Sequence, residues 1–182
     1  MTIDEKRIWN KKHSERSHSS LAPDPFLVSA YDEFLAIQPV GEALDVAGGV
    51  GRHAIWLAEH GWTVKLLDIS EVGVAQAQEN AKAINYGRIT TEVLDLSTVQ
   101  DLGHEKYDLV LVFFFLQREL FPALISALKP GGYLIYKTYT SEQKRFSSGP
   151  SHPMFYWSRM SCCMRSKHCE FCIITRQYSK RE

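Results

Sequence analysis

The stretch Ala43-Leu44-Asp45-Val46-Ala47-Gly48-Gly49-Val50-Gly51-Arg52-His53-Ala54 reads as a buried strand, a glycine-rich turn and the first turn of a helix. Glycine lets a ligand approach the backbone where a Cβ would hold it off. A helix N-terminus behind such a turn presents N–H groups that have no partner within the helix to an anionic or carbonyl-bearing ligand. An acid, Asp45, precedes the glycines, and two more acids end later apolar runs: Asp68 follows residues 63–67 and Asp95 follows residues 89–94. Residues 113–117 close a fourth run. Parallel α/β sheets bind ligands beyond the carboxyl ends of their strands, so these groups are expected to converge at one edge.

The elements that position them follow from periodicity. Residues 4–12 read as a short polar helix, and residues 26–37 carry Phe26, Leu27, Ala30, Phe34 and Leu35 at helical spacing until Pro39 and Gly41. Strands are expected at 43–47, 63–67, 89–94, 107–115 and 133–139, with helices at 52–60, 70–83 and 119–128. Gly61 stops the first of those helices, Ser70 caps the second with Glu71 in its first turn, and Lys129-Pro130-Gly131-Gly132 reads as a turn. The unbroken apolar run at 107–115 is typical of a buried parallel strand. This alternation predicts an α/β fold with a mostly parallel twisted sheet and helices on both faces.

The 182 residues are 45% hydrophobic with a formal net charge of +0. That suits one core and lacks the basic excess of a nucleic-acid binder. No apolar run reaches the roughly 18–20 residues of a membrane span. Residues 1–12 are polar, without the apolar segment of a secretory signal. A cytoplasmic protein without membrane or nucleic-acid partners is the expectation.

With these residues in place, the chain resembles the class I S-adenosylmethionine-dependent methyltransferases over roughly residues 5–156. Their first motif is an acid followed by Gly-x-Gly-x-Gly; here Asp45 is the acid, and Ala47, Gly49 and Gly51 take the glycine positions around Gly48. Ala47 departs from the pattern, mildly if its φ is negative. Gly51-Arg52-His53-Ala54 is similar to the small-molecule branch that includes tellurite-resistance and thiopurine-type methyltransferases, and Leu128-Lys129-Pro130-Gly131-Gly132-Tyr133-Leu134 resembles the turn before strand five. The resemblance implies a Rossmann-like fold, S-adenosylmethionine as cofactor and a small-molecule methyl acceptor. It implies that Gly49 and Gly51 make room for the methionine part and that Asp45 helps hold its ammonium group. Asp68, followed by Ile69, would accept from both ribose hydroxyls, and Asp95 would meet the adenine amino group with Leu96 packed on the ring. Phe113, in the largely core-forming Phe113-Phe114-Phe115 run, is assigned to the cofactor as well.

Gly49-x-Gly51-x-x-Ala54 also fits a dinucleotide fingerprint, with Asp68 near the expected ribose position; Asp45 and the Lys-Pro-Gly-Gly turn weigh against NAD. Asp95 alone fits a turn cap, and His53 fits a satisfied helix histidine. Gln117 and Arg118 read equally as substrate-facing or as a helix start. The absence of an Asn-Pro-Pro-Tyr-like motif disfavours a base N-methyltransferase. No catalytic base is assigned; Lys137 and Tyr139 are weak candidates for substrate contact.

Residues 157–182 do not read as the terminal antiparallel hairpin of this family, and only residues 171–175 suit a strand. The C-terminal strands are therefore expected to be missing or altered. The expected organisation is a methyltransferase domain over 1–156, with a helical region 1–40 and a cofactor-binding core 41–140, followed by this tail. All four cysteines, Cys162, Cys163, Cys169 and Cys172, lie in it. With His168 they offer a weak metal reading, because zinc sites usually need two well-spaced pairs; no metal is assigned. A shifted reading frame from Tyr156 onward is the stronger reading. Permitted codon choices then yield Leu-Glu-Pro-Asn-Glu-Leu-Leu-His-Ala-Phe and later Leu-Arg-Val-Leu, a capped amphipathic helix leading to a strand. On that reading the chain is a damaged enzyme or a non-catalytic cofactor-binding remnant.

Overall fold

A computed structural model describes residues 3–15, 20–84, 87–140, 156–157 and 169–175. The chain forms two compact units, Met1–Gln100 and Asp101–Glu182. Among the described residues no helix is long and apolar enough to cross a membrane.

The first unit opens with helix α1, Ile3–Glu15. Helix α2, Pro25–Ala30, starts where Asp24 accepts from the Phe26 N–H and Pro25 supplies a preset φ. Residues 26–37 were expected to be one regular helix. Instead the chain widens after Ala30 into a π-helical turn, Tyr31–Leu35, closed by the Ala36 N–H on the Tyr31 carbonyl, and Leu35 on this turn is buried.

Strand β1, Glu42–Val46, pairs in parallel with β2, Thr63–Asp68, which pairs in parallel with β3, Ile89–Val93. Helix α3, Arg52–Glu59, joins β1 to β2, and helix α4, Glu71–Ala83, joins β2 to β3. Ser70 caps α4 as its sequence predicts, accepting from the Gly73 N–H at 3.0 Å. Leu44, Val46, Leu57, Leu66 and Leu67 fill the core, and β3, at the edge, is more exposed.

In the second unit, β4, Tyr107–Phe113, pairs in parallel with β5, Leu128–Thr140, through the helix α5, Phe121–Ala127. The Lys-Pro-Gly-Gly turn does not precede β5 as expected. It is an irregularity within it: Leu128 pairs with Tyr107 and the register resumes at Tyr133 opposite Leu109. Gly131 takes φ +83°, and a Cβ on Gly132 would stand 3.0 Å from the Asp108 and Lys129 carbonyl oxygens. Lys129 Nζ also pairs with Asp108 at 2.7 Å across this bulge.

Two strands follow on β5. Strand β6, Tyr156–Trp157, pairs with it in parallel, and strand β7, Cys169–Thr175, pairs antiparallel from Tyr139↔Cys169 to Tyr133↔Thr175. The antiparallel strand is longer than the five residues the sequence suggests. Cys162, Cys163 and His168 of the metal reading lie outside the described residues, as does most of the stretch on which the frame-shift reading rests.

The bulge yields a direct test. Gly132→Ala forces carbonyls apart within a parallel pair, and denaturant unfolding is expected to show a loss of about 1–3 kcal/mol.

Candidate functional site

Asp45 is the next-to-last residue of β1 and is almost fully buried. The Ala54 N–H, in the first turn of α3, donates to its carboxyl, while its Oδ2 has no hydrogen-bond partner among the described residues. Burial pushes this carboxyl up to about 7; the Ala54 bond opposes the shift, neighbouring Asp68 adds to it and Arg52 opposes it. Gly48 lies against this group, since a Cβ there would be 2.9 Å from Asp45 Oδ2 and 2.7 Å from Leu66 Cγ.

The turn is shaped by left-handed residues. Gly49 has φ +56° and Gly51 φ +83°, and the Gly51 N–H closes on the Gly48 carbonyl at 3.0 Å. Ala47 has φ +57°, so the condition that would make it a mild departure fails: an alanine stands where the backbone favours glycine. The space left at Gly51 is taken by Ala77 of α4, whose Cβ would lie 3.1 Å from an added one. Gly51 heads α3 without a side-chain cap, as expected for a helix start left open toward a ligand.

Asp68 ends β2 and is buried. Its Oδ2 accepts from the Gly49 N–H at 2.8 Å, and its Oδ1 from the Ser70 N–H at 2.8 Å. One carboxylate thus ties the glycine turn to the start of α4. Burial pushes its carboxyl above the usual range, opposed by the Ser70 and Gly49 N–H groups and by the charge of His13. Ile69 and Leu96 are buried, and Leu94 N–H reaches the Asp68 carbonyl at 2.8 Å. Asp95 caps a short 3-10 turn, Leu96–Thr98, accepting from Ser97 N–H at 2.9 Å and Ser97 Oγ at 2.6 Å. Slight burial pushes its carboxyl up, but the two Ser97 bonds outweigh it and hold Asp95 below its ordinary value.

The first unit therefore brings Asp45, Ala47, Gly48, Gly49, Gly51 and Asp68 together around one turn. Phe113 ends β4 in the other unit, where it is buried; Phe114 beside it has φ +58°. Lys137 is paired with Phe113 in the β4–β5 register, and the Lys137 carbonyl accepts from the Phe114 N–H at 2.7 Å. His53 is buried in α3, and Gln117 immediately precedes the 3-10 turn Arg118–Leu120, the helix-start alternative for that pair. Sequence reasoning missed His13, whose ring lies against Gly49. It sits in a run of polar residues with no motif to flag it.

The family model described as "Methyltransferase domain" matches residues 43–132. That stretch is similar to a methyltransferase domain. It spans the acid, the glycine turn, Asp68, Asp95 and the bulge glycines. Among curated protein sequences none matches the chain. Among solved structures, the chain is similar to a S-adenosylmethionine-dependent methyltransferase from Aquifex aeolicus, with a TM-score of 0.68 and 17% identity over 92% of this chain and 98% of that one. A protein solved in work on the conversion of a disulfide bond into a thioacetal group during echinomycin biosynthesis gives a TM-score of 0.68 and 20% identity, over 88% and 84% of the chains. Phosphoethanolamine N-methyltransferase 2 of Haemonchus contortus, solved with S-adenosyl-L-methionine, gives a TM-score of 0.58 and 24% identity over 68% of this chain; the match spans 30% of its own length. The fold of this chain is the Rossmann-like fold of the class I methyltransferase type.

Two measurements probe the turn. Ala47→Gly relieves the left-handed alanine and is expected to raise unfolding stability by about 1 kcal/mol. Asp45 ionises near 3.8 when unfolded and near 7 when folded. Between those values the folded chain keeps a proton that the unfolded chain has released, so stability falls as pH rises through the window, by about 4 kcal/mol in all. Asp45→Asn is expected to flatten that slope and to be the more stable protein at about pH 8.

Proposed function

We propose that the chain binds S-adenosylmethionine at the turn between β1 and α3 and transfers its methyl group to a small-molecule acceptor. The observation that carries this reading is Asp68 at the carboxyl end of β2, bonded to the Gly49 N–H of a turn in which Gly49 and Gly51 have positive φ. The residues suit the group. Asp45 leaves a buried carboxyl oxygen beneath the turn without a hydrogen-bond partner among the described residues, and the space that the missing Gly49 side chain leaves is bordered by the His13 ring.

The cofactor brings a methyl group already activated on a sulfonium sulfur. This chain's residues bind and orient it. Asp68 uses two N–H donors to fix its carboxylate, and each of its oxygens retains a lone pair for a ribose hydroxyl. Ile69 keeps a small apolar edge for the adenine, and Leu96, fully buried, would back that surface from the core. Asp45, whose carboxyl is pushed up to about 7, supplies negative charge below the turn for the ammonium group once it is ionised. Because Asp45 is covered by Gly48, it acts through the turn rather than by direct contact. For Asp95, the Ser97 bonds favour the turn-capping role and leave the adenine contact as a secondary one.

The acceptor reading rests on the Gly51-Arg52-His53-Ala54 sequence and on the neutral net charge, which favour a small molecule over nucleic acid. A soft nucleophile such as ionised sulfur, selenium or tellurium, the acceptor type of the tellurite-resistance and thiopurine-type branch, needs little help from a general base, consistent with the lack of an assigned one.

Asp68→Ala and Gly49→Val are each expected to weaken S-adenosylhomocysteine binding by about tenfold or more in folded protein. Unchanged calorimetric affinity in both variants contradicts the site. Binding without methyl transfer to thiol, selenide or tellurite acceptors favours the non-catalytic remnant.

A further inference from the structure

Helix α1 differs from the other helices of its unit. None of its residues with described side chains is buried. A polar helix of 13 residues is marginal on its own in water. Its contacts with α4 are polar and run along the first two turns of that helix, directly after Asp68. Lys6 pairs with Glu71. Asn10 Oδ1 accepts from Ser70 Oγ at 2.7 Å and from Val72 N–H at 3.4 Å. The His13 carbonyl accepts from Gln76 Nε2 at 3.3 Å.

These contacts carry the His13 ring to the glycine turn. Its Cε1 and Nε2 lie 3.2 and 3.6 Å from where a Cβ on Gly49 would stand, and its Cδ2 and Nε2 lie 3.1 and 3.3 Å from that of Gly73. The ring edge therefore occupies a notch between two glycines. Gly73 weakens helix α4 relative to alanine, and the space it frees is the space the imidazole uses. The charge of His13 acts on Asp68, and Trp9 stacks against the ring with centroids 6.0 Å apart.

We propose that α1 is a cover over the cofactor site and that His13 is a cofactor-contacting residue at its tip. The proposal rests on the reading that the glycine turn and Asp68 hold S-adenosylmethionine. Asp45 and Asp68 make the floor of that site acidic, whereas the methionine end of the cofactor carries a carboxylate as well as an ammonium. Arg52 stands 4.0 Å from Asp24. Arg52 acts on Asp45, whereas the His13 ring reaches Gly49 and its charge acts on Asp68, which places a positive partner for the carboxylate beside the glycine turn. Entry requires α1 to part from α4, and the exposed or half-buried state of its described side chains keeps the cost of that opening low.

The test compares the wild-type chain with His13→Ala, His13→Gln and Lys11→Ala, the last altering a side chain that is 76% exposed. S-adenosylhomocysteine affinity is measured by calorimetry, and hydrogen exchange is followed in residues 3–15. The expected result is a loss of about tenfold in affinity for His13→Ala, a smaller loss for His13→Gln and none for Lys11→Ala. Melting temperatures are expected to stay equal, because none of the described side chains of α1 is buried. Ligand is expected to slow exchange across 3–15 in wild-type and Lys11→Ala protein but not in His13→Ala. Wild-type binding matched by His13→Ala, with no protection of 3–15, overturns the proposal and leaves the cofactor reading standing. Tighter binding by His13→Ala overturns it too, making the imidazole an obstacle. No binding by the wild-type chain overturns the cofactor reading and the proposal together.

Discussion

Two carboxyl groups enter the interior of the first unit at the ends of adjacent parallel strands, and the surrounding structure is arranged to tolerate them. Burying a carboxylate without partners is costly. Asp68 meets that cost with backbone N–H donors from both sides, Gly49 and Ser70. Asp45 meets it only in part, with one donor from α3, and its proton affinity rises accordingly. The glycine turn, the cap of α4 and the first turn of α3 are thus tied together through side chains at the site rather than by sheet pairing alone.

That arrangement explains several local oddities. The turn must bring the Gly49 N–H to Asp68, so its backbone enters the left-handed region at Ala47, Gly49 and Gly51. Alanine at the first of these positions carries strain that glycine would not. α4 packs so close to the turn that Gly51 has no room for a side chain beside Ala77, and Asn80 Nδ2 reaches the Val50 carbonyl at 3.2 Å. At Gly51 the missing side chain serves packing against Ala77, and at Gly49 it leaves room for the His13 ring.

Much of this was legible in the sequence because it is carried by short-range signals. The Ser70 cap, the strand ending at Asp68 and the turn glycines follow from residue type and spacing. The sign of φ at Ala47 was not legible, since it is imposed by the hydrogen bond to Asp68 from a residue nineteen positions away. The Lys-Pro-Gly-Gly segment was read as a turn because its composition is that of a turn; its place inside β5 depends on pairing with β4 on either side of it. The widened turn at Tyr31–Leu35 has no composition signature. His13 escaped notice because its placement comes from the packing of α1 on α4, through contacts sixty or more residues apart in the chain.

The central claim is that the acid–glycine turn with Asp68 is a site for S-adenosylmethionine and not for a dinucleotide. Calorimetric titration of the folded chain with S-adenosylhomocysteine, with NAD as the comparison, tests it most directly. Saturable one-site binding of S-adenosylhomocysteine and none of NAD is expected. Binding of NAD alone, or of neither ligand, contradicts it.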